Sequence, residues 1–460
     1  MARLTGSLTQ YPARVSVLWY VGLIALGAVV LCLPICHGSS EKPISVLDAV
    51  FTSTSAACVT GLIVRSTPHD FSLIGQAVIL LLIQLGGIGI MTVTTFVMFH
   101  MGSRQSLRDR LVISETFGAD AGTDLRWILR AVILLTLSIE AVGFVILAVR
   151  NFFDKDLSWG EGLWQALFHS VSAFCNAGFS LDDNSLMRYQ TDPVVNFTIM
   201  ALVVLGGIGF PVILDLRRNW KGTLRERWDR LHLHSKTMLI GTAALLVFGA
   251  VSFLVLEWNG VLADVHPAAR PMVAMFHSVT CRTAGFNTVD IARLTNPMLF
   301  ISILLMAIGA GPGSTAGGFK VSTLMTIMYR AWRTFHGYES VNVFRRTIPP
   351  ATIARAVSTA ALFTVVAFAA LTTLLIIQQS KQSHLQSEGL FLDAMFEVVS
   401  ALGTVGLSVD FTSELTSPGR VIIIVLMFLG RLGPITAFAA LSRGERESAI
   451  EYPHEEPLIG

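Results

Sequence analysis

Four short segments of this chain repeat one pattern, and each stands between two apolar stretches. They are Leu47–Leu62 (LDAVFTSTSAACVTGL), Trp164–Phe179 (WQALFHSVSAFCNAGF), Met272–Phe286 (MVAMFHSVTCRTAGF) and Leu392–Leu407 (LDAMFEVVSALGTVGL). Each is too short and too rich in serine and threonine to cross a bilayer. Each follows an apolar stretch of spanning length and precedes another that carries glycines: LGGIGI at Leu85–Ile90, LGGIGF at Leu205–Phe210, IGAGPG at Ile308–Gly313 and LGRLGP at Leu429–Pro434. The unit is therefore span, short re-entrant helix, glycine-ended loop, span. A recurring unit fixes the architecture before any local reading does. The four units are bounded at residues 1–103, 104–219, 220–340 and 341–460, the last including the C-terminal tail.

Composition agrees with a membrane chain. Of 460 residues 53% are hydrophobic and only 14% charged, with a mean hydropathy of +0.64; ordinary soluble domains carry roughly 25% charged residues. Val15–Leu33, Ile74–Phe99, Ile128–Val149 and Val421–Leu441 are runs near the roughly 20 residues that a spanning helix needs. The first apolar run reads as a spanning helix rather than a cleaved leader, because more spans follow it and no small-residue cleavage site does. The five cysteines are scattered and not at metal-ligand spacing, so neither a disulfide framework nor a zinc site is expected.

Basic residues in short connections mark the cytoplasmic side. They cluster between the units: Arg104, Arg108 and Arg110; Arg217, Arg218, Lys221, Arg225, Arg227, Arg230 and Lys236; Arg330, Arg333, Arg345, Arg346 and Arg355. Connections inside the units are acidic, with Asp154, Asp156, Glu161, Asp182, Asp183, Asp264, Asp290, Asp410 and Glu414. Both termini are expected in the cytoplasm at the inner membrane, with four re-entrant segments dipping in from outside. The charged linker Gly222–Ser235, with Trp220, Trp228, His232 and His234, reads either as a segment on the anionic inner leaflet or as a solvated connector.

Non-helical backbone at membrane depth survives only where protein buries it or where it lines a water-filled path. Four such loops imply a central pore. Carbonyl oxygens replace the water of a dehydrated monovalent cation when glycine lets the chain adopt otherwise costly dihedrals. The loop ends align as Val59-Thr60-Gly61, Asn176-Ala177-Gly178, Thr283-Ala284-Gly285 and Thr404-Val405-Gly406, and the last is a loosened form of the TVGYG filter of potassium channels. These twelve residues are the candidate selectivity filter and potassium site. The predicted fold is an all-α polytopic membrane protein: eight spanning helices and four re-entrant pore helices around a potassium-channel-like pore.

The third unit departs from the others. Its second span, from about Asn296 to Phe335, is interrupted by Gly309–Gly318 (GAGPGSTAGG), through which a helix cannot continue. This break and Arg431, a charge at membrane depth, are read together as a gate formed by Gly311, Gly313, Ser314, Thr315, Gly317, Gly318, Lys320 and Arg431, with Lys320 raising a barrier to cations. Enzyme chemistry finds no support. His169, His277 and Glu397 recur at one place on the short helices and read as polar packing, Glu140 reads as a partnered interior carboxylate, and no nucleotide-binding fingerprint is present. A sodium-coupled secondary transporter of another solute is the alternative, but its signature is an inverted repeat of odd span number, whereas these units are parallel and even.

Laid out in this way, the chain closely resembles the Trk/Ktr/HKT superfamily of potassium transporters, and within it the ion-translocating membrane subunit of the Ktr type. The resemblance covers almost the whole length and rests on Cys58–Leu62 (CVTGL), Cys281–Asn287 (CRTAGFN), Gly311–Lys320 (GPGSTAGGFK), Gly430-Arg431 and the chain end Tyr452–Gly460. The Trk branch has two additional spans before its first unit, and the first span here starts by about Arg14, which favours Ktr. The resemblance implies potassium, with sodium as a further permeant or coupling ion, and a homodimer with one pore per subunit. It implies a cytoplasmic regulatory ring of the RCK/KTN type that carries the nucleotide and controls the gate, a lipid bilayer as surroundings and no nucleic-acid partner. Glycine at all four filter positions, Gly61 included, matches the potassium-selective members rather than the plant transporters with serine in the first loop.

Overall fold

The computed structural model describes residues 12–38, 43–101, 125–379, 387 and 389–433. The linker residues Arg104, Arg108 and Arg110 and the chain end Tyr452–Gly460 lie outside the described residues. The rest is almost wholly helical. The first unit contributes α1 (Pro12–Leu31), α2 (Val46–Ala57) and α3 (Leu73–Met101). The second contributes α4 (Leu125–Phe152), α5 (Trp159–Phe174), α6 (Pro193–Ile208) and α7 (Phe210–Arg218). After a short connecting helix α8 (Leu224–Arg230) the third has α9 (Leu233–Leu256), α10 (Arg270–Thr280), α11 (Asn296–Ala307) and α12 (Val321–Phe335). A two-stranded hairpin, β1 (Asn342–Val343) with β2 (Arg346–Thr347), precedes α13 (Pro350–Gln379), α14 (Leu390–Gly403) and α15 (Ser417–Leu432).

Local chemistry fixes where the short helices start. Ser45 with Asp48 and Ser158 with Glu161 form reciprocal capping boxes on α2 and α5. Asp192 and Thr416, each followed by a proline in the first turn, cap α6 and α15. The four short helices bury the same side chain: Phe51, Phe168, Phe276 and Phe396 are at most 2% exposed. In three of them a serine two residues later donates to a carbonyl of the preceding long helix: Ser53 to Ile24 (2.8 Å), Ser170 to Glu140 (2.6 Å) and Ser278 to Leu246 (2.8 Å).

The outer surfaces of the long helices are apolar. Leu26, Val29, Val145, Val255, Val365 and Phe368 are all exposed, as expected of helices that face hydrocarbon rather than water. Among the described residues Arg130–Phe152, Leu233–Leu256 and Pro350–Gln378 are each long and apolar enough to cross a bilayer unbroken, as are α6 and α7 taken together.

Among the described residues two second spans are broken, not one. The expected break separates α11 from α12 at residues 308–320. The second, between α6 and α7, was not foreseen: Gly209 takes φ +98° and the helix axis turns by 94°. Pro211 cannot donate a helical N–H, and the N–H of Phe210 donates instead to Gly313 of the other break (3.0 Å). α15 is described to Leu432, with Gly433 at φ +79°; the remainder of the apolar run to Leu441 lies outside the described residues.

The packing of helices is cyclic. Each unit's second long helix contacts the next unit's short helix: α3 with α5, α6 with α10, α11 with α14, and α15 with α2, which closes the circuit.

Candidate functional site

At the end of each short helix the chain turns with the same backbone. Val59, Asn176, Thr283 and Thr404 have φ of +55°, +60°, +70° and +51°, and two residues later Gly61, Gly178, Gly285 and Gly406 have φ of +93°, +69°, +77° and +92°. Left-handed dihedrals at a β-branched residue are outliers, and three of the four leading positions are valine or threonine. Such strain, of order 1–3 kcal/mol each, persists only where the surroundings impose it. The intervening amides turn back onto the short helix: Thr60 donates to Ser55 O (2.8 Å), Ala177 to Ser172 O (2.7 Å), Ala284 to Thr280 O (3.0 Å) and Val405 to Ser400 O (2.8 Å). Ser55 and Ser400 hydroxyls accept from Gly61 and Gly406 N–H, each at 3.1 Å. With the donors drawn away, the loops present oxygen.

The four loops meet in a ring. A Cβ placed on Gly61 would collide with the carbonyl oxygen of Ala177, one on Gly178 with that of Ala284, one on Gly285 with that of Val405, and one on Gly406 with that of Thr60, in every case closer than 3.0 Å. Only glycine admits this approach and this φ together. The hydroxyl oxygens of Thr60, Thr283 and Thr404 are buried without a hydrogen-bond partner, as suits groups that can offer lone pairs to a cation passing as cargo.

Above the ring lies a cavity of about 590 Å³ with all four glycines in its lining. Asp182, Asp183, Asp290 and Asp410 line it too, which makes its field attractive to cations. Burial raises the Asp182 carboxyl above its usual range, partly offset by Arg188 and by the hydrogen bond from Gln165.

Below the ring, the chain between α11 and α12 lies against the fourth loop. Gly317 touches Thr404 and Gly318 touches Gly403. Its backbone is held throughout: Gly311 N–H donates to Gly207 O (2.8 Å), Thr315 N–H to Gly206 O (3.2 Å) and Ser314 Oγ to Gly311 O (2.6 Å). Three cationic side chains clasp its carbonyls. Arg282 donates to Gly309 O (3.0 Å), Lys320 to Ala316 O (2.6 Å) and Gly317 O (3.1 Å), and Arg431 to Thr315 O. Arg431 is 2% exposed; it faces the loop instead of reaching toward a membrane surface.

Residues 28–444 match the family described as TrkH, cation transport protein. The chain belongs to the TrkH family. It is 38% identical over 449 residues to the Ktr system potassium uptake protein B of Vibrio alginolyticus, covering 97% of this chain and 94% of that one. To the potassium/sodium uptake protein NtpJ of Enterococcus hirae it is 34% identical over 442 residues, covering 95% of both. The solved structure of the potassium transporter TrkH from Vibrio parahaemolyticus superposes with a TM-score of 0.70 at 18% identity, over 93% of this chain and 84% of that one, and so shares the fold.

In this TrkH-family chain the twelve residues singled out from sequence come together around one axis, and the eight from the break and the last span come together beneath them. His169, His277 and Glu397 bond to hydroxyls of Ser180 (3.0 Å), Ser302 (3.0 Å) and Ser408 (2.8 Å). Glu140 accepts from Gln84 (3.0 Å). Three contributors were missed. Tyr20, whose hydroxyl donates to Gly86 O (2.8 Å) and accepts from Arg431 (3.2 Å), gives no signal in a uniformly apolar helix. Gly209 was hidden in a motif shared with the first unit. Arg282 was visible as a charge inside a re-entrant segment, which is a functional signal in itself.

Proposed function

We propose that this chain conducts potassium ions across a cytoplasmic membrane, through a selectivity filter made by the four glycine-centred loops of four membrane-pore-membrane repeats. The closure of the ring, Gly61 against Ala177, Gly178 against Ala284, Gly285 against Val405 and Gly406 against Thr60, carries the reading. Inward carbonyls on a strained, immobilised backbone replace the hydration shell of a monovalent cation, and the acidic cavity above supplies ions to them. The potassium uptake named for the Vibrio alginolyticus relative supports potassium as the ion, and the Enterococcus hirae relative's name brings in sodium as a second permeant or coupling ion. The loop from Gly309 to Lys320, clasped by Arg431, is the gate.

The relative's description as part of a system supports a further component, read here as a cytoplasmic nucleotide-binding ring acting on the gate; a second copy of the chain completes the assembly proposed from the resemblance. Basic residues at the ends of the spans opposite the acidic cavity, among them Arg217, Arg225 and Arg230, support placing both termini in the cytoplasm.

The test is growth at limiting potassium of a cell stripped of its own uptake systems, comparing the intact chain with Gly406→Ser, each co-expressed with its nucleotide-binding partner. Rescue by the intact chain and impaired preference for potassium over sodium in the variant support the filter. Absence of rescue by intact protein shown to be in the membrane turns the reading to transport of another solute.

A further inference from the structure

Beside the third filter loop lies a small cavity, about 20 Å³, where the two broken spans meet. Its walls are mostly apolar, from Val203, Ile208, Leu246 and Val279, and two polar side chains, Arg282 and Thr242, complete the lining. Arg282 is 5% exposed. Its Nη2 donates to Gly309 O, while its Nη1 is buried without a hydrogen-bond partner, as is the hydroxyl of Thr242. The volume suits a single occupant the size of a water molecule or a chloride ion.

Charge decides between those two. A guanidinium stays protonated in a protein, and an uncompensated charge in an apolar setting is costly. Arg282 takes part in no ion pair among the described residues, and neither do Lys320 and Arg431, which clasp the same loop. Three cationic side chains thus converge under a ring that is to pass cations. A water would satisfy the free N–H and O–H but leave that charge standing. An anion does both, with the planar guanidinium as its main partner and a hydroxyl donor beside it.

We propose that this cavity binds one small monovalent anion, a halide of chloride size, between Arg282 and Thr242. The anion completes the coordination of Arg282, which directly precedes Thr283 of the third filter loop, and so fixes the tie from Arg282 to Gly309, the first glycine of the break. It also weakens the positive field beneath the ring, a consequence that rests on the conduction reading above; the binding itself does not.

The test reads binding, so its failure is separate from any failure of conduction. The purified full-length chain is unfolded thermally in sodium chloride, sodium bromide and sodium gluconate at equal ionic strength. A saturable rise in Tm of a few degrees is expected in either halide at about a hundredfold excess over its Kd, lost in Arg282→Gln and reduced in Thr242→Val. Crystals of the intact chain grown in bromide are expected to give one anomalous peak within hydrogen-bonding distance of Arg282. Should Arg282→Gln fail to fold, Thr242→Val and the bromide peak decide. Equal halide response in the intact chain and the variants, or a site whose density lacks anomalous signal and is therefore water, overturns the proposal.

Discussion

The guanidinium of Arg431 donates to the carbonyl of Thr315, a residue 116 positions earlier in the chain. The same group donates to Gly86 O at 2.7 Å and to the Tyr20 hydroxyl at 3.2 Å. One side chain in α15 therefore joins the first and second spans of the first unit to the broken span of the third. Its planar fork makes this possible, since it directs several N–H groups at fixed angles.

Replacing Arg431 by glutamine removes that junction and leaves buried carbonyls unpaired, at about 1–3 kcal/mol each. Flux of potassium or rubidium into vesicles is expected to rise severalfold, as it is on excising Gly311–Gly318. Unchanged uptake in both variants would remove the gate assignment.

Serine at position 61 meets two obstacles at once, the φ of +93° and the carbonyl of Ala177. The strain of about 1–3 kcal/mol is relieved by moving the loop, and a tenfold loss of potassium-over-sodium discrimination needs only about 1.4 kcal/mol. Competitive uptake of the two ions measures it. A Gly61→Ser protein with intact discrimination would show that the ring is not the selective element.

The bend at Gly209 should be sensitive in its own right. Its φ is +98°, and a Cβ there approaches the carbonyl of Pro312. Gly209→Ala is expected to lower stability by about 1–3 kcal/mol and, because Phe210 holds Gly313, to change flux as well. Thermal unfolding and vesicle uptake together test this; a variant normal in both would mean the bend accommodates a side chain freely.

Asp154, in the connection between α4 and α5, supplies a pH dependence. Its partial burial acts to raise the carboxyl's pKa, but the Asp156 N–H and the guanidinium groups of Arg150 and Arg188, both at 2.9 Å, outweigh it and hold it below the usual range. A carboxyl depressed by folding stabilises fully above its unfolded value of about 3.9 and loses that contribution as pH falls through the lower folded value. Below about pH 4 the Tm of the intact chain should therefore fall more steeply than that of Asp154→Asn. Parallel acid limbs would refute the pairing.

The recurring plan was legible because it appears four times, so that weak strings reinforced one another at equivalent places. The ring followed from it, since a glycine recurs three to five residues past the end of every short helix. The Gly209 bend was not legible. LGGIGF differs little from LGGIGI, yet α3 runs unbroken through the latter while Pro211 ends α6 after the former. Tyr20 and Arg282 depend on which distant carbonyl each finds, and that is a property of the closed assembly, not of any short window.

All four walls of the ring belong to one polypeptide, and the third turn is one residue shorter than its counterparts: nine positions separate Phe276 from Gly285, against ten in the others. A substitution therefore alters a single quadrant, whereas in an assembly of identical subunits it would strike all four together. On the proposed reading of the ring as a filter, ion preference can then drift in quarter steps through variants that still fold, and one wall can be adapted to opening and closing while the other three keep the cation's company.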